Sequence, residues 1–195
     1  MHGLINRSIQ CFLAETYGVA AWQVISEQAG LGQENLETLI LYDDTLTESL
    51  LESAVQQTGN TRSVLLEDLG TFLVTSPTMH GLRRLLRFGG AQFVDFLHSL
   101  EELPDRARMA VSDLTLPQIE LRDHSAVAFT LLVTHDFAGF GHVILGVLRA
   151  MADDYGALAL LSHEGRRDKV ETITVEVFEV AFSEGRNFDL IAQSP

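Results

Sequence analysis

Thr172-Ile173-Thr174-Val175-Glu176-Val177 places polar and apolar residues in strict alternation. A period of two belongs to a β-strand with one face in a core and the other in water. Ile173, Val175 and Val177 then point inward, and Thr172, Thr174 and Glu176 outward. The strand is expected over Val170–Phe182. Just upstream, Ala157–Leu161 reads as its neighbour, with the polar stretch His163-Glu164-Gly165-Arg166-Arg167-Asp168 as the connection. Further back, Gln118–Arg122 and Ala126–Val133 flank Asp123-His124-Ser125, a polar turn suited to a hairpin. Between these pairs, Phe140–Asp154 carries Val143, Val147 and Met151 at helical spacing, with Gly156 beyond as a stop signal.

Upstream of residue 104 the period is helical, apart from a mixed stretch at 74–90 punctuated by Ser76-Pro77 and Gly89-Gly90. Ile5–Tyr17 carries Ile5, Ile9, Phe12 and Leu13 on one face, and Gly18 ends it. Ala20–Ala29 forms a second helix that Gly30 closes. Asp44-Thr45-Leu46-Thr47-Glu48 reads as a helix start, with Thr45 and Glu48 as a capping box, and that helix runs to about Gln57. Thr58-Gly59-Asn60 is the clearest boundary, after which Thr61–Leu73 resumes helical spacing. Phe93, Leu97 and Leu100 form a seam on a helix over 91–103, and the same spacing continued lands on Pro104. Proline has no N–H, so the helix should end, kink or restart there. Helices followed by hairpins with an inserted helix indicate an α+β chain with an antiparallel sheet. We expect one domain over 1–195: a helical lobe at 1–60, and a lobe at 61–195 holding the long helix and the sheet.

The 195 residues include 27 acidic and 13 basic side chains and one cysteine, Cys11. The formal charge of −14 opposes binding to nucleic acid or to an anionic membrane surface. No apolar run approaches the roughly 20 residues that span a bilayer, and no signal peptide is evident. The expectation is a cytoplasmic protein without a disulfide framework.

Enzyme signatures are absent. There is no phosphate-binding glycine loop, no dinucleotide fingerprint, no nucleophile elbow and no His-Glu-x-x-His, because His163-Glu164 continues as Gly165-Arg166-Arg167. The seven histidines are scattered, and His135 with His142 is the one pair near ligand spacing. Cys11 precedes Phe12 on an amphipathic helix and reads as a packed thiol. Arg83, Arg84 and Arg87 interleave with Leu82, Leu85 and Leu86, which reads as a solvated basic face, with an anion site as the alternative. Asp43-Asp44 and Asp153-Asp154 fall at helix ends, where carboxylates cap or solvate.

Read in order, several segments resemble the heme–nitric oxide/oxygen binding family, H-NOX. Met1-His2-Gly3-Leu4-Ile5, Tyr17-Gly18 and Trp22 resemble its N-terminal helices. Leu66-Glu67-Asp68-Leu69-Gly70-Thr71-Phe72-Leu73 resembles its Glu-x-Leu/Phe-Gly segment. Leu85-Leu86-Arg87-Phe88, then Phe93-Val94-Asp95-Phe96-Leu97 and Leu100-Glu101-Glu102-Leu103, resemble its long proximal helix, and Ile144-Leu145-Gly146 its helix after the sheet. The resemblance implies a heme pocket in which a histidine ligates iron, a proline thirteen residues on packs against the porphyrin, and Tyr-x-Ser-x-Arg holds the propionates. It also implies output to a separate histidine kinase or a guanylate or diguanylate cyclase.

The functional positions depart from that pattern. The ligand slot holds Pro104, which has no donor atom for iron. Pro117 matches the later proline. Counting back from Gly146 puts Val133, His135 and Phe137 at the propionate motif, where no guanidinium is available. By resemblance, then, the pocket positions are Ile5, Phe93, Leu97, Leu100, Pro104, Pro117, Val133, His135, Phe137 and Leu145. His98, the one histidine on the proximal helix, is about 120° off the seam and about 9 Å along the axis from position 104. The leading expectation is a non-enzymatic sensor or regulatory domain that does not hold heme in the family's way and takes an apolar ligand or acts through protein contacts. The alternatives are a heme-bound gas sensor with an unusual axial histidine such as His98, and an enzyme built on His135 and Asp136.

Overall fold

The computed structural model describes residues 1–31, 35–87 and 89–179. In chain order these form α1 (Gly3–Tyr17), α2 (Val19–Gln28), α3 (Asp44–Thr58), α4 (Arg62–Thr75), α5 (His80–Arg87), α6 (Phe93–Ser99) and α7 (Leu103–Ala110). Then come β1 (Gln118–Asp123), β2 (Ala128–Thr134), α8 (Phe140–Tyr155), β3 (Leu158–Arg167) and β4 (Val170–Glu179). This is an α+β fold whose sheet has the order β1-β2-β4-β3, with every neighbouring pair antiparallel. Phe88 and positions 180–182 of the expected last strand lie outside the described residues.

The alternation read at 172–177 sets which side of β4 is buried. Ile173 and Val175 are fully buried and Val177 nearly so, and Phe129, Leu131 and Val133 of β2 join them in the core. The turn before β4 is shorter than the polar stretch 163–168 suggests. β3 runs to Arg167 through a bulge between His163 and Gly165, and Asp168 takes the left-handed conformation that reverses the chain. Polar composition marked a strand at the edge of the sheet, where one side is wet, rather than a loop.

Two helix features also differ from expectation. The cap of α3 is Asp43, whose carboxylate accepts the Thr45 N–H at 2.9 Å. Thr45 is inside the helix, and Glu48 pairs instead with Arg62. The helix expected over 91–103 is two α-helices, α6 and α7, joined by a 3₁₀ turn at Leu100–Glu102. Pro104 explains the break. Without its N–H the Leu100 carbonyl has no partner four residues on, and the chain tightens so that the Leu103 N–H donates to it instead.

The basic face of α5 is solvated, with Arg84 and Arg87 exposed, and two of its three arginines also bond to α8. Arg83 grips Asp154 through two hydrogen bonds of 2.8 and 2.6 Å. Arg87 lies over the Tyr155 ring and donates to the Asp154 carbonyl. Both cations therefore meet the C-terminal end of α8, where the helix dipole favours positive charge. That contact leaves Leu82, Leu85 and Leu86 to face inward.

Candidate functional site

Those leucines face a cavity of about 270 Å³ between the helices and the edge of the sheet. Leu4, Ile5 and Ser8 of α1, Leu69 and Leu73 of α4, and Leu82, Leu85 and Leu86 of α5 form one side. Leu103, Pro104, Ala107 and Ala110 of α7 form another, and Phe140, Val143, Ile144 and Val147 of α8 a third. Val111, Leu114, Leu116 and Pro117 of the α7–β1 connection, with Ile119 of β1, complete the wall. A smaller void of about 20 Å³ adjoins it behind Ile5, Leu69, Phe140 and Val143.

The wall is almost entirely hydrocarbon. Among the described residues its one side-chain polar group, the Ser8 hydroxyl, already donates to the Leu4 carbonyl at 2.9 Å. The buried His2 lies against the connection over residues 111–117. His2 accepts the Leu4 N–H at Nδ1, and its Nε2 is 3.4 Å from the Asp113 carboxylate without making a hydrogen bond to it.

The positions singled out by resemblance separate into groups. Ile5, Pro104 and Pro117 line the larger cavity, and Phe137 lines the smaller void. Phe93, Leu97, Leu100, Val133 and Leu145 are buried in the core without facing the larger cavity. The seam through Phe93, Leu97 and Leu100 does not continue to Pro104, because the 3₁₀ turn changes the phase. Three residues at about 120° each, in place of about 100°, rotate α7 by roughly 60° relative to a continuous α-helix. His98 is half-exposed, edge-on to Phe129 and 3.8 Å from Asp123, away from the cavity. Sequence reasoning did not include Leu69, Leu73, Ala107 and the α5 leucines among the lining. Their signal was present in α5, where the leucines alternate with arginines.

His135 and Asp136 do not work as a pair. His135 accepts the Phe137 N–H at Nδ1 and packs against the Phe140 ring 4.4 Å away, while the Asp136 carboxylate binds Lys169. Burial holds the His135 imidazole below its ordinary pKa of 6.5, and the Lys169 contact holds Asp136 below the usual carboxylate value. Below about pH 6.5 the unfolded chain therefore binds more protons than the folded one, and stability falls with pH through that range. His135→Gln keeps an acceptor for Phe137 and removes the titration. We expect the loss of urea stability between about pH 7 and about pH 5 to become shallower in that variant.

Four elements meet at a second polar cluster, which the sequence did not reveal. Glu67 of α4, His142 of α8, His163 of β3 and Glu171 of β4 converge there. His142 was weighed with His135, but its ring stacks on His163, with centroids 4.0 Å apart and planes at 20°. The available signal was Glu171 itself. It shares the inward phase of Ile173, Val175 and Val177, and a carboxylate on a buried face requires partners. Among the described residues no helix is long and apolar enough to cross a membrane.

The sequence model of the Haem-NO-binding family matches residues 2–160. Curated relatives include the soluble guanylate cyclase gcy-31 of Caenorhabditis elegans, 24% identical over 154 residues, which are 79% of this chain and 22% of that protein. The soluble guanylate cyclase 89Db of Drosophila melanogaster is 19% identical over 163 residues, 84% of this chain and 24% of that protein. The chain thus spans about a quarter of the length of these relatives. Among solved structures, the I5F mutant of T. tengcongensis H-NOX superposes with a TM-score of 0.77 at 14% identity, covering 93% of this chain and 100% of that one. An H-NOX protein from S. oneidensis in the Fe(II)NO state gives 0.77 at 12% identity, covering 92% and 100%. At these identities the structural likeness concerns the fold.

Proposed function

The chain belongs to the Haem-NO-binding family, and from that membership we propose that it is a sensor module without catalytic residues of its own, whose cavity takes a compact, uncharged, hydrocarbon-like molecule in place of an iron porphyrin. The observation that carries this reading is the wall around Pro104: among the described residues it is saturated or aromatic carbon apart from the Ser8 hydroxyl, with no imidazole and no guanidinium. Heme iron needs an axial donor, and the porphyrin's two carboxylates need cations or hydrogen-bond donors. The described residues of the lining offer neither a ligand for iron nor a cation, which supports reading this cavity as one that does not fit heme. A volume of about 270 Å³ lies between the ~150 Å³ of a dry engineered cavity that admits benzene and the ~300–1,000 Å³ of common ligand pockets.

The output side of the proposal rests on the relatives. The matched region makes up 22% and 24% of two proteins named as soluble guanylate cyclases, which supports a regulatory part for this segment. We take the partner to be a cyclase or histidine kinase, contacted through the surface of the helices that line the cavity.

Titration with N-phenylnaphthylamine, an uncharged apolar fluorophore, and separately with hemin tests the proposal. Saturable one-to-one binding of the fluorophore is expected, with no Soret band of protein-ligated heme. A Soret band of histidine-ligated heme that disappears in His98→Ala or another histidine variant overturns it and establishes a gas-sensing hemoprotein. Failure of the fluorophore to bind overturns the apolar-ligand reading.

A further inference from the structure

The cluster of His142, His163 and Glu171 lies apart from the cavity, and binding of an apolar ligand there does not involve it. His142 and His163 are partly buried, and Glu171 is 3% exposed. One ligating atom from each can be chosen so that all three lie within 4.8 Å of one another. Glu171 is already oriented. The Gly139 N–H donates to Oε1 at 2.8 Å and the Gly141 N–H to Oε2 at 3.2 Å, both at the N-terminal end of α8. Gly141 has to be glycine for this approach, because a Cβ there would fall 2.6 Å from Glu171 Oε2 and 2.8 Å from His163 Nε2.

The hydrogen bonds fix what each nitrogen can do. His142 Nδ1 lies 3.1 Å from Glu67 Oε1, and Arg149, bonded to the other oxygen of that carboxylate, holds it in place. Against a carboxylate acceptor Nδ1 carries the proton, so the Nε2 lone pair is free to ligate. That is the carboxylate–histidine arrangement found behind metal-bound imidazoles. His163 Nε2 faces Glu171 Oε2 at 3.0 Å, and its Nδ1 accepts the Gly165 N–H at 3.2 Å. Ligation through Nε2 moves the ring proton to Nδ1 and gives up that contact, which sits at a bulge where Gly165 has a φ of 107°. Arg166 is 3.9 Å from Glu171 Oε1 and spends its hydrogen bonds on the carbonyls of His135, Asp136 and Asp168. Oε2 is therefore the oxygen left for a cation.

We propose that His142, His163 and Glu171 form a binding site for a first-row divalent cation of the zinc class, with Glu67 as the positioning residue that holds His142 in its ligating tautomer. Two imidazole nitrogens and one carboxylate oxygen are a three-ligand zinc set whose fourth position water fills. Tetrahedral ligands at about 2.0–2.1 Å from the ion are about 3.3 Å apart. The ligand atoms now lie within 4.8 Å of one another, so binding has to draw them closer and take the two rings out of their stack. The ion ties α8 to β3 and β4, and through Glu67 to α4.

The test uses the full chain stripped with a chelator and then titrated with zinc or cobalt(II). One equivalent binds tightly, the melting temperature rises, and cobalt gives the visible absorption of a tetrahedral site. His163→Ala and His142→Gln abolish stoichiometric binding, and Glu67→Gln weakens it by about 10–100-fold. His142 is partly exposed and makes no bond to Glu171, so His142→Gln decides the matter if His163→Ala fails to fold. Absence of stoichiometric binding in the intact chain overturns the proposal, as does binding that His142→Gln leaves unchanged. Neither result bears on whether the apolar cavity binds its ligand.

Discussion

Gly146→Ala is expected to lower the melting temperature by at least about 6–12 °C, although alanine is the better helix former. Helix propensity alone favours the substitution by about 1 kcal/mol. The packing reverses the sign. Helices α4 and α8 cross backbone to backbone at Gly70 and Gly146, and a Cβ on Gly146 would fall 1.9 Å from the Glu67 carbonyl oxygen and 2.9 Å from the Thr71 nitrogen. Neither atom is the end of a flexible side chain, so the two helices have to separate. Overpacking typically costs about 1–3 kcal/mol and occasionally more; a Cβ driven onto backbone belongs above that range, at about 4 kcal/mol, so about 3 kcal/mol remains after the propensity gain, a large share of the ~5–15 kcal/mol that holds a domain folded. For a chain of this size each kcal/mol shifts the midpoint by about 2–4 °C.

The control is Gly81 in α5, where a Cβ would meet nothing within 4 Å. Gly81→Ala is expected to leave the midpoint unchanged or raise it slightly, as propensity dictates. Thermal melting of the two variants side by side checks the argument, since equal shifts would mean that α4 and α8 can part at little cost. The crossing matters beyond stability. The same two helices supply Leu69, Leu73, Val143, Ile144 and Val147 to the cavity and Glu67 and His142 to the polar cluster. A change in their separation moves both.

How much of this was legible beforehand depended on whether the cause was local. The inward phase of Ile173, Val175 and Val177 could be read because a strand's period is a property of adjacent residues. The break near Pro104 could be read because it arises from one missing N–H. Where the side chain of Pro104 points could not, since that depends on the 3₁₀ turn that the break produces. The stack of His142 on His163 joins residues 21 positions apart in sequence across a helix and a strand, and it forms because α8 packs back against β3. No spacing rule within one element reports such a pairing. That Arg83 and Arg87 of the solvated face also bond to α8 could not be read for the same reason, because Asp154 and Tyr155 lie on a helix that comes back to them from far along the chain.

Filling the cavity distinguishes a binding site from a packing defect. Ala107 is buried on α7, lines the cavity together with Pro104, and has a side chain small enough to leave room. Ala107→Phe extends a ring into space now bounded by Leu86, Ile144 and Val147. Burying apolar area without displacing existing atoms stabilises, and cavity-filling substitutions commonly add about 0.5–2 kcal/mol. The same ring occupies the volume that an apolar ligand needs, so affinity for N-phenylnaphthylamine should fall by at least about 100-fold, or about 2.7 kcal/mol. The two effects have opposite signs for one physical reason: a void kept open costs the folded chain contacts that the ligand restores on binding. Melting and fluorescence titration of this single variant check both halves. If the variant is destabilised and still binds the fluorophore at the original affinity, the dye sits elsewhere and the cavity around Pro104 is not the site.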